Sequence, residues 1–218
     1  MANPDHLLVL SQGVLVWNCW REDHPGIIPD LKAANLQGVD LANINLRGAQ
    51  LQEIDLQGAD LRRADLTAAD LSGANLYMAD LIAVQGREIC LEAADLEGGD
   101  CYKADFTRAD LRNTNLRGTM MRRVTLVEAN LSGANLTRTD LLQSNLWRAQ
   151  LENAILQEAN LEEANLEAAN LEAADLTLTK FTRANLRRAR LYNAHLERTD
   201  LQDAILRGAT QPNGQIYL

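Results

Sequence analysis

The sequence predicts an all-β solenoid, a chain that turns a corner every five residues and stacks its coils into a rod. Three observations carry this. Every fifth residue from Leu31 to Leu206 gives 36 positions, of which 31 are Leu. Two residues before each, from Ala34 to Ala209, stand 23 Ala in 36 positions, with Val, Ile, Thr, Ser144 and Gly99 in the rest. The residue just before the Leu is Asp or Asn at 24 of 35 positions from Asn35 to Ile205. The register never slips over this span, and Ala59-Asp60-Leu61-Arg62-Arg63-Ala64-Asp65-Leu66 shows the unit plainly.

A period of five suits neither ordinary element. On an α-helix, five residues advance about 500°, so successive Leu rotate off any one face. On a straight strand, an odd period sends alternate Leu to opposite faces. A corner in each unit resolves the conflict, because the Leu and the small residue two before it then both point inward. Ala belongs where neighbouring faces crowd, and Leu fills the centre in ladders that pack from coil to coil. Asp and Asn accept hydrogen bonds from corner N–H groups. Gly38, Gly48, Gly58, Gly118 and Gly133, at trailing positions, supply positive φ at low cost.

Four corners close a coil of 20 residues, and 36 units then make about nine coils, roughly 40 Å of rod at strand spacing. The period alone leaves three or four sides open, but charge favours four. With 20-residue coils one outward column reads Glu88, Arg108, Glu128, Arg148, alternating in sign. A 15-residue coil stacks Arg108, Arg123 and Arg138, three like charges. Gly86 is the one missing interior side chain. Two arrangements accommodate it: Phe106 fills the hole with help from Val84 and Ile89, or residues 82–90 bulge outward.

This unit resembles the pentapeptide repeat family, whose motif is A(D/N)LXX, over about four-fifths of the chain. The resemblance implies a right-handed quadrilateral parallel β-helix. The Leu-rich, uninterrupted form with an N-terminal helix is similar to cyanobacterial members, a few of which are linked to regulation of differentiation through protein binding.

The ends need covering, since a solenoid exposes the core and edge of its last coil. Residues 5–22 read as one helix with Leu7, Leu10, Val14 and Trp17 on a stripe and Trp20 alongside. Asn3 or Asp5 caps its start, and His24-Pro25-Gly26 stops it. It is assigned as a lid over Leu31, Leu36, Leu41 and Leu46. Non-basic flanks argue against a membrane-surface helix. The expected organisation is residues 1–29 as capping helix and linker, 30–209 as β-helix, and 210–218 as a tail folded on the final coil.

Composition narrows the function. The 218 residues include 38 Leu and 31 Ala but only nine aromatics, and carry a net charge of −9. The hydrophobic share, 46%, is too high for disorder. No apolar run nears the ~20 residues of a membrane span. The acidic balance argues against direct binding to nucleic acid or an anionic membrane. The cysteines Cys19, Cys90 and Cys101 form neither a disulfide framework nor a zinc spacing, so they read as reduced packing residues in a cytoplasmic protein.

No P-loop, G-x-S-x-G, H-E-x-x-H or helix-opening G-x-G-x-x-G is present. His6 and His24 lie in the lid region, and His195 replaces an Asn of the repeat. The column Asp40, Asp60, Asp80, Asp100 reads as corner hydrogen bonding. No enzyme activity, cofactor or metal is therefore expected.

The expected function is that of a non-enzymatic interaction or scaffold protein, a rod whose flat faces meet a protein partner. Two alternatives stand beside it, a purely structural spacer and a regulator of DNA gyrase. Some family members resemble duplex DNA in width and charge, bind gyrase and protect it from quinolones. This chain departs from them: Leu replaces their Phe and Cys, no loop interrupts the register, and nine residues follow Ala209 where they carry a helical dimerisation segment. Arg62, Arg63, Arg122, Arg123, Arg187 and Arg188 also put positive charge on the rod. A monomer or a weak end-to-end dimer is expected.

Most outward positions are polar or small. The exceptions gather in the middle coils, where Tyr102, Val127, Leu142 and Trp147 point outward on adjacent faces near Arg122, Arg123 and Arg148. Aromatics beside arginine are common binding-energy centres, and these seven residues form the candidate protein-binding patch. The acidic cluster Glu158, Glu162, Glu163, Glu167 and Glu172 reads as an ion-paired face, with Glu163 beside Arg183 and Glu167 beside Arg187.

Overall fold

The computed structural model describes residues 2–218. Every fifth residue from Asp30 to Arg190 pairs in parallel with the residue 20 positions on. Four pairing sites per 20 residues define a four-sided coil, so positions 20 apart lie in one column along the rod. The pairing is carried by a repeated set of bonds. Leu51 N–H donates to Asp70 O at 2.7 Å, and Asp70 N–H donates to Ala49 O at 3.0 Å. Within the unit, Ile54 N–H returns to Leu51 O at 3.2 Å and closes a four-residue turn. The third turn residue has positive φ in all 36 units, from Ala33 at 54° to Gly208 at 78°. That is the requirement of a turn whose third residue is left-handed.

Glycine fills only eight of these 36 corners, and the other 28 carry side chains that include Arg, Glu and Asn. A left-handed L-residue costs about 1–2 kcal/mol. The coil-to-coil bonds offset it, because the corner N–H groups before the last coil also donate to the next coil, as Glu53 does to Ser72 O at 3.0 Å.

The interior is the predicted one. The Leu and Ala columns form one continuous buried core, and Cys101, Phe106, Met121 and Phe181 occupy Leu positions without exposure. Threonines at Ala positions satisfy their hydroxyls: Thr114 Oγ1 donates to Leu91 O at 2.8 Å, and Thr139 Oγ1 to Leu116 O at 2.7 Å. Asp and Asn sit on the straight pairing positions and reach into the corner, as when Asp40 Oδ1 accepts from Ala42 N–H at 3.0 Å. At three places where Asn follows Asp in a column a second bond forms, as from Asn75 Nδ2 to Asp55 Oδ1 at 3.0 Å. The path through residues 82–90 is regular, with φ of 56° at Ala83 and 58° at Glu88, so there is no bulge.

The single helix expected over residues 5–22 is two helices, α1 (Pro4–Leu10) and α2 (Val14–Asp23). Gly13, at φ 99°, breaks the helical path between them and stands at the N-cap of α2. Ser11 Oγ takes the Leu8 carbonyl and ends α1. Asn3, not Asp5, caps α1 by accepting Asp5 N–H at 2.9 Å. The helices lie over the first coil through polar bonds to its edge. Trp17 Nε1 donates to Asn45 O at 2.8 Å, Asn18 Oδ1 accepts Asn45 N–H at 2.9 Å, and His6 Nδ1 accepts Asp30 N–H at 2.9 Å. The cover is incomplete. Leu31, Leu41 and Leu46 are buried, whereas Leu36 is only half-buried and Val39 is 38% exposed.

At the other end the chain turns at Asn213-Gly214 and runs back antiparallel, with Thr210 facing Ile216. Gly208 N–H donates to Tyr217 O, Tyr217 N–H donates to Ala209 O, and Tyr217 packs on the core.

Candidate protein-interaction site

The 20-residue register sorts the seven predicted patch residues into two neighbouring corners. Tyr102, Arg122 and Leu142 share one column, with Arg123 beside them. Val127, Trp147 and Arg148 occupy the next corner.

At the first corner, Tyr102 and Leu142 are half-buried and flank the exposed Arg122. With Arg123 and Gln143 they line a surface concavity of about 190 Å³. Arg122 Nε lies 2.5 Å from Asp140 Oδ2, which draws its guanidinium along the face. Arg123 Nε donates to Gln143 Oε1 at 3.0 Å. Lys103 Nζ sits 5.1 Å from the centre of the Tyr102 ring. Ile82 precedes Tyr102 in the same column, an apolar neighbour the composition of single repeats did not single out.

The second corner is arranged differently. The Arg148 guanidinium lies 4.1 Å from the Trp147 ring centre and covers its face. Arg148 also reaches Glu128 at 3.8 Å. Val127 and Trp147 are half-buried neighbours in their column. These three residues stand outside the concavity, so the seven residues of the expected patch fall into two separate groups.

The charge columns follow the expected register. Arg108 Nε bonds Glu128 Oε2 at 3.0 Å and approaches Glu88 at 3.9 Å. Arg183 pairs with Glu163 at 2.6 Å. Glu167 is not paired with Arg187; its Oε2 accepts Asn185 Nδ2 at 3.3 Å instead. Among the described residues no group of three or more His, Cys, Asp or Glu is placed to hold a metal ion. Nor is any helix among the described residues long and apolar enough to cross a membrane.

Sequence reading missed one surface. Leu8, Leu15, Val16, Ile27 and Ile28 are exposed around the helices, from 40% at Ile27 to 82% at Leu15. The helical stripe identified what faces inward but gave no account of the opposite face.

A 20-residue parallel coil with an aliphatic bore and a left-handed corner in every unit defines a β-solenoid built on five-residue repeats. The family profile for pentapeptide repeats matches in eight copies spread over residues 30–67, 49–84, 89–126, 129–167, 144–183 and 169–208, and the chain belongs to that family. No curated protein matches the sequence significantly. Among solved structures, the chain is similar to HetL from the cyanobacterium Nostoc sp. strain PCC 7120, a pentapeptide repeat protein involved in regulating heterocyst differentiation. The identity is 28%, over 91% of this chain and 98% of that one, with a TM-score of 0.65. A trypsin-treated form of QnrB1, a plasmid-mediated fluoroquinolone resistance protein, shares the fold at 20% identity, over 80% of this chain and 90% of that one, with a TM-score of 0.50.

Proposed function

We propose that this protein is a non-enzymatic scaffold whose flat faces bind a protein partner, with the Tyr102–Leu142 column as the centre of contact. In this reading the rod is a right-handed coil of about nine turns over residues 30–209. Residues 1–29 cap it, residues 210–218 close it, and it works as a monomer in a reducing compartment. The observation that carries the proposal is the concavity in which an aromatic and an aliphatic side chain flank two arginines. Such a setting offers apolar area together with directed donors, the combination that concentrates binding energy. The likeness to HetL over nearly the whole of both chains supports a regulatory role.

The gyrase alternative has weaker support. A duplex mimic needs a continuous negative surface, and here arginines interrupt the acidic columns on several faces. The test uses purified protein as bait in lysate of its native organism, compared with Tyr102→Ala/Leu142→Ser. Loss of a specific partner with retained thermal stability supports the patch; an unchanged recovered set refutes it. A gyrase supercoiling assay run alongside decides the alternative, and no effect at micromolar protein eliminates it.

A further inference from the structure

We propose that the first coil carries a second binding site, independent of the mid-rod patch, which takes an extended partner segment bearing an apolar residue, a Lys or Arg, and a Leu in succession. The helices cover only two of the four sides of this coil. On the Asp30 and Asn45 sides the backbone edge is satisfied by Asn3, His6, Trp17 and Asn18. On the Asn35 and Asp40 sides, neither the N–H nor the C=O of Asn35 or Asp40 has a protein partner among the described residues. Beside this open edge lies a groove of about 400 Å³, walled by Leu7, Leu10 and Val14 of the helices and by Leu36, Val39 and Leu41 of the coil.

The repeat itself specifies what fits. In every later coil the same edge is paired by a three-residue stretch. Asp55 N–H donates to Ala34 O at 2.9 Å, and Leu36 N–H donates to Asp55 O at 2.7 Å. The stretch thus offers one carbonyl and one N–H from the residues flanking its centre, and both flanking side chains point into the bore. A partner segment taking this place on the open edge puts its two flanking side chains into the apolar groove, by strand addition. Its central side chain comes to lie next to Asp40 in the outward column.

Charge decides the central residue. Asp40 is exposed and makes no ion pair, while Asp60 below it is engaged by Arg62. A cation therefore suits the central position. A second copy stacked in register does not, because its Asp200 stands in the same column and would meet Asp40. The elements protruding at the two ends, the helices over Asp30 and Asn45 and the tail along 205–210, would also collide on the same faces.

The probe is a fluorescein-labelled octapeptide, Ala-Lys-Leu-Ser-Gly-Ala-Lys-Leu, which spans both open sides and the corner between them. Saturable anisotropy is expected with the full chain, together with slowed amide exchange at Asn35 and Asp40. Val39→Glu should weaken binding at least tenfold. Asp40→Lys should reverse the charge preference, so that the peptide with Asp in place of Lys binds better. Both variants must keep the parental melting temperature; if Val39→Glu does not fold, Asp40→Lys decides. Absence of binding at millimolar peptide, equal binding by both variants, or protection confined to other amides overturns the proposal. Doubling of mass by light scattering that blocks the peptide also overturns it, since a second copy then fills the groove.

Discussion

A Cβ placed on Gly86 would lie 2.7 Å from Cδ1 of Phe106, the residue one coil along the same interior column. The missing Leu at 86 and the oversized ring at 106 are therefore one packing solution split between two coils. Restoring the consensus at one site alone, Gly86→Leu, overpacks the bore and should cost about 1–3 kcal/mol. Phe106→Leu alone leaves a cavity and should also destabilise. The double variant Gly86→Leu/Phe106→Leu restores the regular ladder and should recover most of the combined loss. Urea unfolding of the four proteins gives the coupling, and simple additivity would contradict the account.

The left-handed corners predict opposite effects for opposite substitutions. Gly58 has φ 63°, and nothing lies within 4 Å of a Cβ placed there. Gly58→Ala thus introduces backbone strain that exceeds the chain entropy it saves and should cost about 0.5 kcal/mol. Ala68, exposed at φ 55°, should tolerate Ala68→Gly with a gain of about 0.5 kcal/mol, the relief of strain exceeding the added chain entropy. Chemical denaturation of both variants checks the pair of signs.

Ser144 breaks the pattern set by Thr114 and Thr139. Its hydroxyl is buried without a partner. Ser144→Ala removes an unsatisfied group at a site where Ala is the standard residue, and should stabilise by about 1 kcal/mol. A loss of stability would show that the hydroxyl is bonded in solution.

The three cysteines should separate by reactivity. Burial pushes the thiols of Cys101 and Cys90 up from the ordinary range, and Cys101 has no exposure. Cys19 is exposed on α2. An aromatic disulfide reagent should titrate one thiol rapidly in the native protein and all three in urea. Rapid native modification of Cys101 would mean the bore opens.

Acid should weaken the rod through its paired carboxylates. Hydrogen bonds from Arg62 and Arg112 hold Asp60 and Asp110 below the usual carboxylate range. A folded pKa below the unfolded one contributes stability that is present above about pH 4 and lost as pH falls through the folded value. The melting temperature should be flat above pH 5 and decline below pH 4. Arg112→Gln should make that decline shallower.

The sequence made the interior legible because one repeating rule governs it: Leu, Ala and Asp or Asn recur where bore, crowded face and pairing position recur. The charge columns followed from the same rule, down to Arg108 between Glu88 and Glu128. What the repeat could not show lies where it stops or where long side chains choose among neighbours. Gly13 breaks the helix inside an apolar stripe that reads as continuous, since the stripe records burial and not backbone path. Leu36 stays half-open because two short helices span two sides of a four-sided coil. Arg148 turns onto Trp147, and Glu167 onto Asn185, by rotamer choices that spacing does not encode. The seven residues of the expected patch therefore fall at two corners that spacing alone did not separate.

The most direct test of the account is disulfide trapping along the rod, because the 20-residue register brings Tyr102, Arg122 and Leu142 into one column. Successive residues of one column stand at strand spacing, which meets the distance a disulfide requires. In a Cys19→Ser background, Arg123→Cys/Gln143→Cys should oxidise rapidly and completely, as read by mass spectrometry of the digest. Arg123→Cys/Arg138→Cys, 15 residues apart, should stay reduced. Cross-linking of the second pair in preference to the first would contradict the four-sided coil and every surface derived from it.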